Sequence, residues 1–241
     1  MLVKTAAVVL RSIKYGESSL IVDVLTEKSG RVSFIVRVPK TSKSRVKKQY
    51  FQPLTILDLE YFDRARSTLQ HIRDARIAVP YSTIPFDPIK SSLLFFLSEF
   101  LFYVTQSEQE NAALFRYIVN SLEWLDASSE GLANFHLLFM ARLSRFVGFY
   151  PNLTTYREGS FFDLRNGCFS PKAPLHTDFL SSADATFVIN LMRMNYETMH
   201  LFKFTHEERN RIAALILYYY RLHIPNMPEL RSFSILKDVF S

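Results

Sequence analysis

The chain has 241 residues, 48% of them apolar, and a formal net charge of +6, which places it among compact chains able to bury one large core or two smaller ones. Its longest apolar run, Leu93 to Val104, is broken by Ser98 and Glu99, whereas a bilayer span takes about 18 apolar residues. Cys168 stands alone, which excludes an intrachain disulfide, and Met1-Leu2-Val3-Lys4 opens no signal-peptide pattern, so the reading is a cytoplasmic protein without a membrane partner.

The charge is not spread evenly. Residues 1–80 hold 15 Lys and Arg against 7 Asp and Glu, a net of +8, and residues 81–241 hold 14 against 16, a net of −2. The apolar pattern changes at the same place, from alternation before Pro80 to helical spacing after Pro85. Val79-Pro80-Tyr81-Ser82-Thr83-Ile84-Pro85 contains two prolines that stop regular structure, which puts a boundary there. The expected organisation is a nucleic-acid-binding domain over 1–80 and a helical domain over 81–241.

In chain order, Val3 to Lys14, Ser19 to Thr26 and Val32 to Val38 read as strands rich in β-branched residues. Glu27-Lys28-Ser29-Gly30 turns the second strand into the third, with Gly30 free to take positive φ. Next comes Arg37-Val-Pro-Lys-Thr-Ser-Lys-Ser-Arg-Val-Lys-Lys48, with six cations and no acid. Leu54 to Tyr61 and Thr68 to Ile77 supply two further strands. Five short strands with a long polar connection in the middle fit an α+β chain that begins with a small OB-fold-like barrel, with an SH3-like barrel as the rival.

From Asp87 onward the signals are helical. Asp87-Pro88 pairs a capping side chain with a first-turn proline, Ser107-x-x-Glu110 and Thr205-x-x-Glu208 read as capping boxes, and Ser181-x-x-Asp184 is a weaker relative. Apolar residues recur at helical spacing in Leu93–Val104, Leu132–Phe146 and Ile212–Tyr219. Five or more helices in a bundle are expected, interrupted by an irregular stretch over 148–179 that contains Pro151, Gly159, Gly167, Pro171 and Pro174. Leu217-Tyr218-Tyr219-Tyr220 covers more than one side of its helix, so at least one tyrosine must meet another element.

A run of fixed cations on a β scaffold suits phosphates, because each phosphate neutralised by Lys or Arg releases condensed counterions. Tyr15, Phe34 and Tyr50 lie close by in sequence; they either stack on bases or fill the barrel. No side-chain pattern for reading base edges is present, so binding should depend on backbone and strandedness. Catalytic and metal chemistry find little support. The six histidines show no zinc-ligand spacing, Cys168 has no assignable base, and with six glycines and no Walker loop or Gly-x-Ser-x-Gly elbow, neither a nucleotide cradle nor a nucleophile elbow is expected.

Val8-Val9-Leu10-Arg11, Lys14-Tyr15-Gly16-Glu17-Ser18-Ser19-Leu20-Ile21-Val22, Leu25-Thr26-Glu27-Lys28-Ser29-Gly30-Arg31, the cations Lys43 and Arg45, and Gln52-Pro53-Leu54 together resemble the amino-terminal OB domain of the RecO family, bacterial recombination-mediator and DNA-repair proteins. Phe146-Val147-Gly148-Phe149-Tyr150-Pro151 and the ending from His223 to Phe240, with Leu230-Arg231-Ser232, extend the resemblance over most of the chain. It implies a non-enzymatic, nucleoid-associated protein without cofactor that binds single- and double-stranded DNA, anneals complementary strands and, with RecR, helps load RecA onto strands coated by the single-strand-binding protein SSB. The DNA-binding candidates are then Arg11, Lys14, Arg31, Arg37, Lys40, Lys43, Arg45, Lys47 and Lys48. Two departures stand out. Many members carry a four-Cys zinc module after the Gly-Phe-Tyr-Pro element, where this chain has only Cys168, and Arg37-Val38-Pro39 replaces the Lys-Gly pair common at the end of the third strand.

The resemblance also implies a hold on the acidic, apolar-anchored carboxyl-terminal tail of SSB. On Leu132–Val147, Phe135 and Phe139 form an apolar stripe flanked by Arg142 and Arg145, which suits such a peptide; an amphipathic core helix with two surface arginines gives the same pattern. An RNA-binding OB module and an interaction scaffold for an acidic protein remain the alternative functions.

Overall fold

The computed structural model describes residues 1–37, 46–64 and 67–239. They form two compact units, Met1–Ala127 with Leu230–Val239, and Ser128–Glu229.

In the first unit five strands, β1 (Leu2–Tyr15), β2 (Ser19–Thr26), β3 (Gly30–Arg37), β4 (Ile56–Phe62) and β5 (Gln70–Val79), close into a barrel in the order β1-β2-β3-β5-β4. Every neighbouring pair is antiparallel except β3 and β5, which is the strand order of an OB-fold. Closure depends on the length of β1. Leu2 to Val8 pair with β4, Ala7 to Tyr15 pair with β2, and a bulge between Val9 and Arg11 bends the strand from one partner to the other.

Alternation sends Val22 and Val24 of β2, Phe34 and Val36 of β3, Leu57, Leu59 and Tyr61 of β4 and Ala75 of β5 into one core. Phe34 meets Tyr61 edge to face at 5.0 Å between centroids, and each such buried ring contributes roughly 1.5–3 kcal/mol. The Tyr61 hydroxyl keeps a partner by donating to Ser29 Oγ at 2.9 Å. Gly30 holds φ +64°, and a Cβ there would lie 2.3 Å from the Glu108 carbonyl oxygen, so this position needs glycine for both conformation and space. The fourth strand starts later than its sequence suggests. Leu54 is buried with φ 54°, and its amide donates to the Val9 carbonyl at 2.7 Å, which places it in a turn before β4.

Strand gives way to helix between Val79 and Pro88, but the compact units part between Ala127 and Ser128, because three helices belong to the same unit as the barrel: α1 (Pro88–Val104), which packs on β1, α2 (Ala112–Ala127), and α6 (Arg231–Val239), which packs on α1. Asp87 caps α1 by accepting from the Ile89 and Lys90 amides, with Pro88 in its first turn. At the start of α2 the expected Ser107 box gives way to Asn111, whose Oδ1 accepts from the Leu114 amide at 3.0 Å. The α6 start is capped from α1, Glu99 accepting from the Arg231 and Ser232 amides at 3.1 and 2.8 Å. Asp126 of α2 clasps the linker by accepting from the amides of Ser82, Thr83 and Ile84; although burial opposes ionisation, these bonds hold its carboxyl well below the usual range.

The second unit contains α3 (Phe135–Leu143), α4 (Ser182–Arg193) and α5 (His206–His223). The expected box at Thr205 and Glu208 is present in full, and Ser181 caps α4 through the Asp184 amide. The stretch expected to be irregular holds a small sheet, β6 (Phe161–Asp163), β7 (Cys168–Ser170) and β8 (Phe179–Leu180), in the order β7-β6-β8. Asp163 makes its hairpin, accepting from the Arg165 and Asn166 amides through Oδ1 and from the Gly167 amide through its carbonyl. All three α5 tyrosines bond elsewhere: Tyr218 to Asp178, Tyr219 to the Phe149 carbonyl and Tyr220 to the Met140 carbonyl.

Candidate nucleic-acid interface

Strand register decides which barrel cations remain available. Tyr15 of β1 lies opposite Ser19 of β2, and Ser19 opposite Arg37 of β3, so the last residue of β1 and the last of β3 share one end of the sheet. The turn Gly16–Ser18 projects beyond them. Lys14, opposite Leu20, sits one row back. The 3₁₀ turn Lys48–Phe51 joins from the β3–β4 connection, with Phe51 buried in the barrel core and Tyr50 packed against it. Anchored by these rings, Lys47 and Lys48 remain exposed, as do Lys14 and Arg37. Among the described residues none of these four cations forms an ion pair. Lys40, Lys43 and Arg45 lie outside the described residues.

Arg11 and Arg31 are placed differently. Arg11 lies opposite Asp23 and bonds it twice, through Nε at 3.2 Å and Nη2 at 3.1 Å. Arg31 lies 3.5 Å from the other oxygen of Asp23 and donates to the Phe102 carbonyl at 3.0 Å, with 11% of its side chain exposed. Burial pulls the Arg31 pKa down and Asp23 pulls it back up, the loss of solvent being the larger effect. Both guanidinium groups stack on the Phe102 ring, at 3.8 and 4.4 Å from its centroid. These two arginines therefore join the barrel to α1, and the interface candidates reduce to the end of the sheet. Asp23 was the signal for this in the sequence, as an acid within an otherwise apolar alternation.

The three candidate stacking rings separate as well. Phe34 is buried in the barrel and Tyr50 is half-buried, whereas Tyr15 is 55% exposed in the same row as Arg37, with Ser19 between them. The helix expected to hold a partner peptide is mostly interior. Phe135 and Phe139 are buried and stack on each other at 6.1 Å. Arg142 donates through Nη2 to the carbonyls of Met192 and Met194 at the end of α4, which fixes it as a helix C-cap; Arg145 is exposed. No apolar slot flanked by two free arginines results, because the stripe that reads as a docking face is the face α3 turns to the core.

Among the described residues no group of three His, Cys, Asp or Glu is placed to hold a metal ion, and no helix is long and apolar enough to cross a membrane. Cys168 is half-buried on β7. His136 is buried on α3, where desolvation first, and Arg209 second, push its pKa down to about 3.

Comparison with known proteins agrees with this fold. The family pattern described as "Recombination protein O N terminal" matches residues 1–81, and "Recombination protein O C terminal" matches residues 85–232. Proteins named "DNA repair protein RecO" from Phocaeicola vulgatus and Bacteroides fragilis are 47% and 46% identical to this chain over 241 residues, covering 100% of both sequences in each case. One of the same name from Flavobacterium psychrophilum is 34% identical over 242 aligned positions, again across 100% of both chains. An OB barrel followed by helices, both matched along nearly their whole length, makes this chain a member of the RecO family.

Proposed function

We propose that the protein is a non-catalytic recombination mediator of DNA repair that grips polynucleotide backbones with the cationic end of its barrel, anneals complementary single strands and assists RecA loading on SSB-coated DNA at the nucleoid. The observation that carries the DNA-binding part is the set Lys14, Arg37, Lys47 and Lys48, each exposed and without an ion pair among the described residues. Lys40, Lys43 and Arg45 belong to the connection that starts at Arg37 and are proposed to extend the same surface. Backbone contacts of this kind do not read sequence, which suits a protein that must act on any exposed strand.

RecR and the SSB tail are proposed as partners on the strength of family membership. Of the residues expected at the tail, Arg145 is the exposed one. Strand annealing on SSB-coated oligonucleotides tests the whole reading. Complementary strands should anneal faster with the protein present, and deleting the acidic SSB tail should abolish the acceleration. Equal rates with and without the protein would refute the mediator function.

A further inference from the structure

Each barrel strand turns one face inward and one to solvent, so outward positions ordinarily carry polar residues. One row departs from this. By register Ile13 of β1 lies opposite Ile21 of β2, Ile21 opposite Ile35 of β3, Ile35 opposite His71 of β5, His71 opposite Phe62 of β4, and Phe62 opposite Leu2 of β1. Residues paired across strands share a face, and the adjacent Val22, Phe34 and Tyr61 are buried inside the barrel, so this row faces outward. Ile13 and Phe62 are 42% and 49% exposed, His71 is exposed, and Leu2, Ile21 and Ile35 are half-buried.

An apolar band thus crosses every strand, with one imidazole in it. On one side of it on β1–β3 the neighbouring outward row, Arg11, Asp23 and Ser33, is bonded together, and Phe102 lies under Arg11. On the other side Tyr15 and Arg37 stand exposed, and at the β4 end the Arg73 guanidinium, half exposed and at the 4.0 Å limit of an ion pair with Glu60, lies 5.7 Å from the Phe62 ring centroid. A cation beside the β3 position of an apolar path and another beside its β4 end suit a ligand with an anionic backbone and flat, weakly polar faces. An unpaired nucleic-acid strand has both, whereas a duplex hides its base faces in its own stack.

The geometry points to a second DNA contact on the barrel, a base-facing track for single strands in which Phe62 and His71 stack on bases, Ile13, Ile21 and Ile35 pack beneath them, and Arg37 and Arg73 meet the flanking phosphates. From Ile13 to Phe62 the track takes four strand spacings, about 19 Å along the surface, which suits the short end of the roughly 4–16 nucleotides an OB barrel engages. The track deepens the DNA-binding reading above and rests on it. It adds a preference that the cationic end cannot supply by itself, since backbone contacts serve single and double strands alike.

The test is the double substitution Phe62→Ala with His71→Ala, both at exposed positions, measured by fluorescence anisotropy on an oligo-dT strand and on a duplex of equal length. Single-strand affinity should fall at least about tenfold, as loss of base–aromatic stacking implies, duplex affinity by less than about twofold, and the single-strand salt slope should stay unchanged. A 5-iodouracil-substituted strand should photo-crosslink to the β4–β5 peptide that contains Phe62 and His71 in the unaltered protein, which gives a readout independent of folding. Equal losses on both DNA forms, or no loss on either together with no crosslink, would overturn the track. If the unaltered protein showed no salt-dependent DNA binding, the parent reading would fail instead.

Discussion

Replacing Lys14, Arg37, Lys47 and Lys48 together by alanine measures the cationic end directly. All four are exposed and lack ion pairs among the described residues, and none belongs to the barrel core, so the fold should survive. Each phosphate contact contributes about 0.7 to the slope of log K against log salt on single strands and about 0.9 on duplex. If all four touch phosphate, the slope should flatten by about 2.8 on single strands and about 3.6 on duplex. At 0.1 M salt the same relation gives about fivefold per contact, or several hundredfold for the set on single strands. Anisotropy titrations from 50 to 300 mM salt, with thermal melting as a control for folding, read both quantities. A slope change below about 1 in a folded variant would mean that at most one of the four meets a phosphate, and the barrel end would not be the interface.

The paired arginines should behave in the opposite way. Asp23→Asn leaves Arg31, mostly buried, without its carboxylate and should cost about 3 kcal/mol in denaturant unfolding while leaving the DNA salt slope where it was; a flattened slope would return Arg11 and Arg31 to the interface. His136 should make the protein acid-sensitive well above the carboxylate range. Its folded pKa of about 3 lies below that of the unfolded chain, near 6.5, so its contribution is complete above pH 6.5 and is lost as pH falls toward 3. Between pH 7 and 5 that amounts to about 2 kcal/mol, and His136→Gln should remove this slope from a pH series of denaturant melts.

The barrel was legible because its strands are long enough to show their period. Ser19–Thr26 is a strand with the bounds read from its residues, and the turn at Ser29-Gly30 needs the glycine for the reason anticipated, with a close approach to Glu108 added. Strands of two or three residues have no period to read, which is why Phe161–Asp163 and its neighbours passed for irregular chain. Capping was legible where one box competes with nothing, as at Thr205 and Glu208, and misleading where Asn111 lies just past a Ser-x-x-Glu. On α3 amphipathic spacing fixes which face is apolar but not what covers it. There the core covers Phe135 and Phe139, and Arg142 turns to the open carbonyls at the end of α4.

Charge poses the same difficulty, because a sequence counts cations but does not pair them. Lys4 lies opposite Glu60 and bonds it at 2.6 Å, and Arg11 lies opposite Asp23 and bonds it at 3.1 Å, so a cross-strand acid neutralises each of these two mid-strand cations. At the strand ends the opposing residues are Leu20 for Lys14 and Ser19 for Arg37, and in the turn that holds Lys48 no strand runs opposite. Register therefore ties Lys4 and Arg11 into the sheet and leaves Lys14 and Arg37 exposed at one end of it, while Lys28, Arg64 and Arg76 are exposed elsewhere on the barrel. The end that holds Lys14 and Arg37 also exposes Tyr15, with the outward row of Ile13, Ile21 and Ile35 one step back along the strands. On the proposed reading, a strand drawn in by its phosphates at that end meets, within one row, the proposed surface for its bases, so electrostatic capture and single-strand preference would arise from adjacent rows of the same three strands.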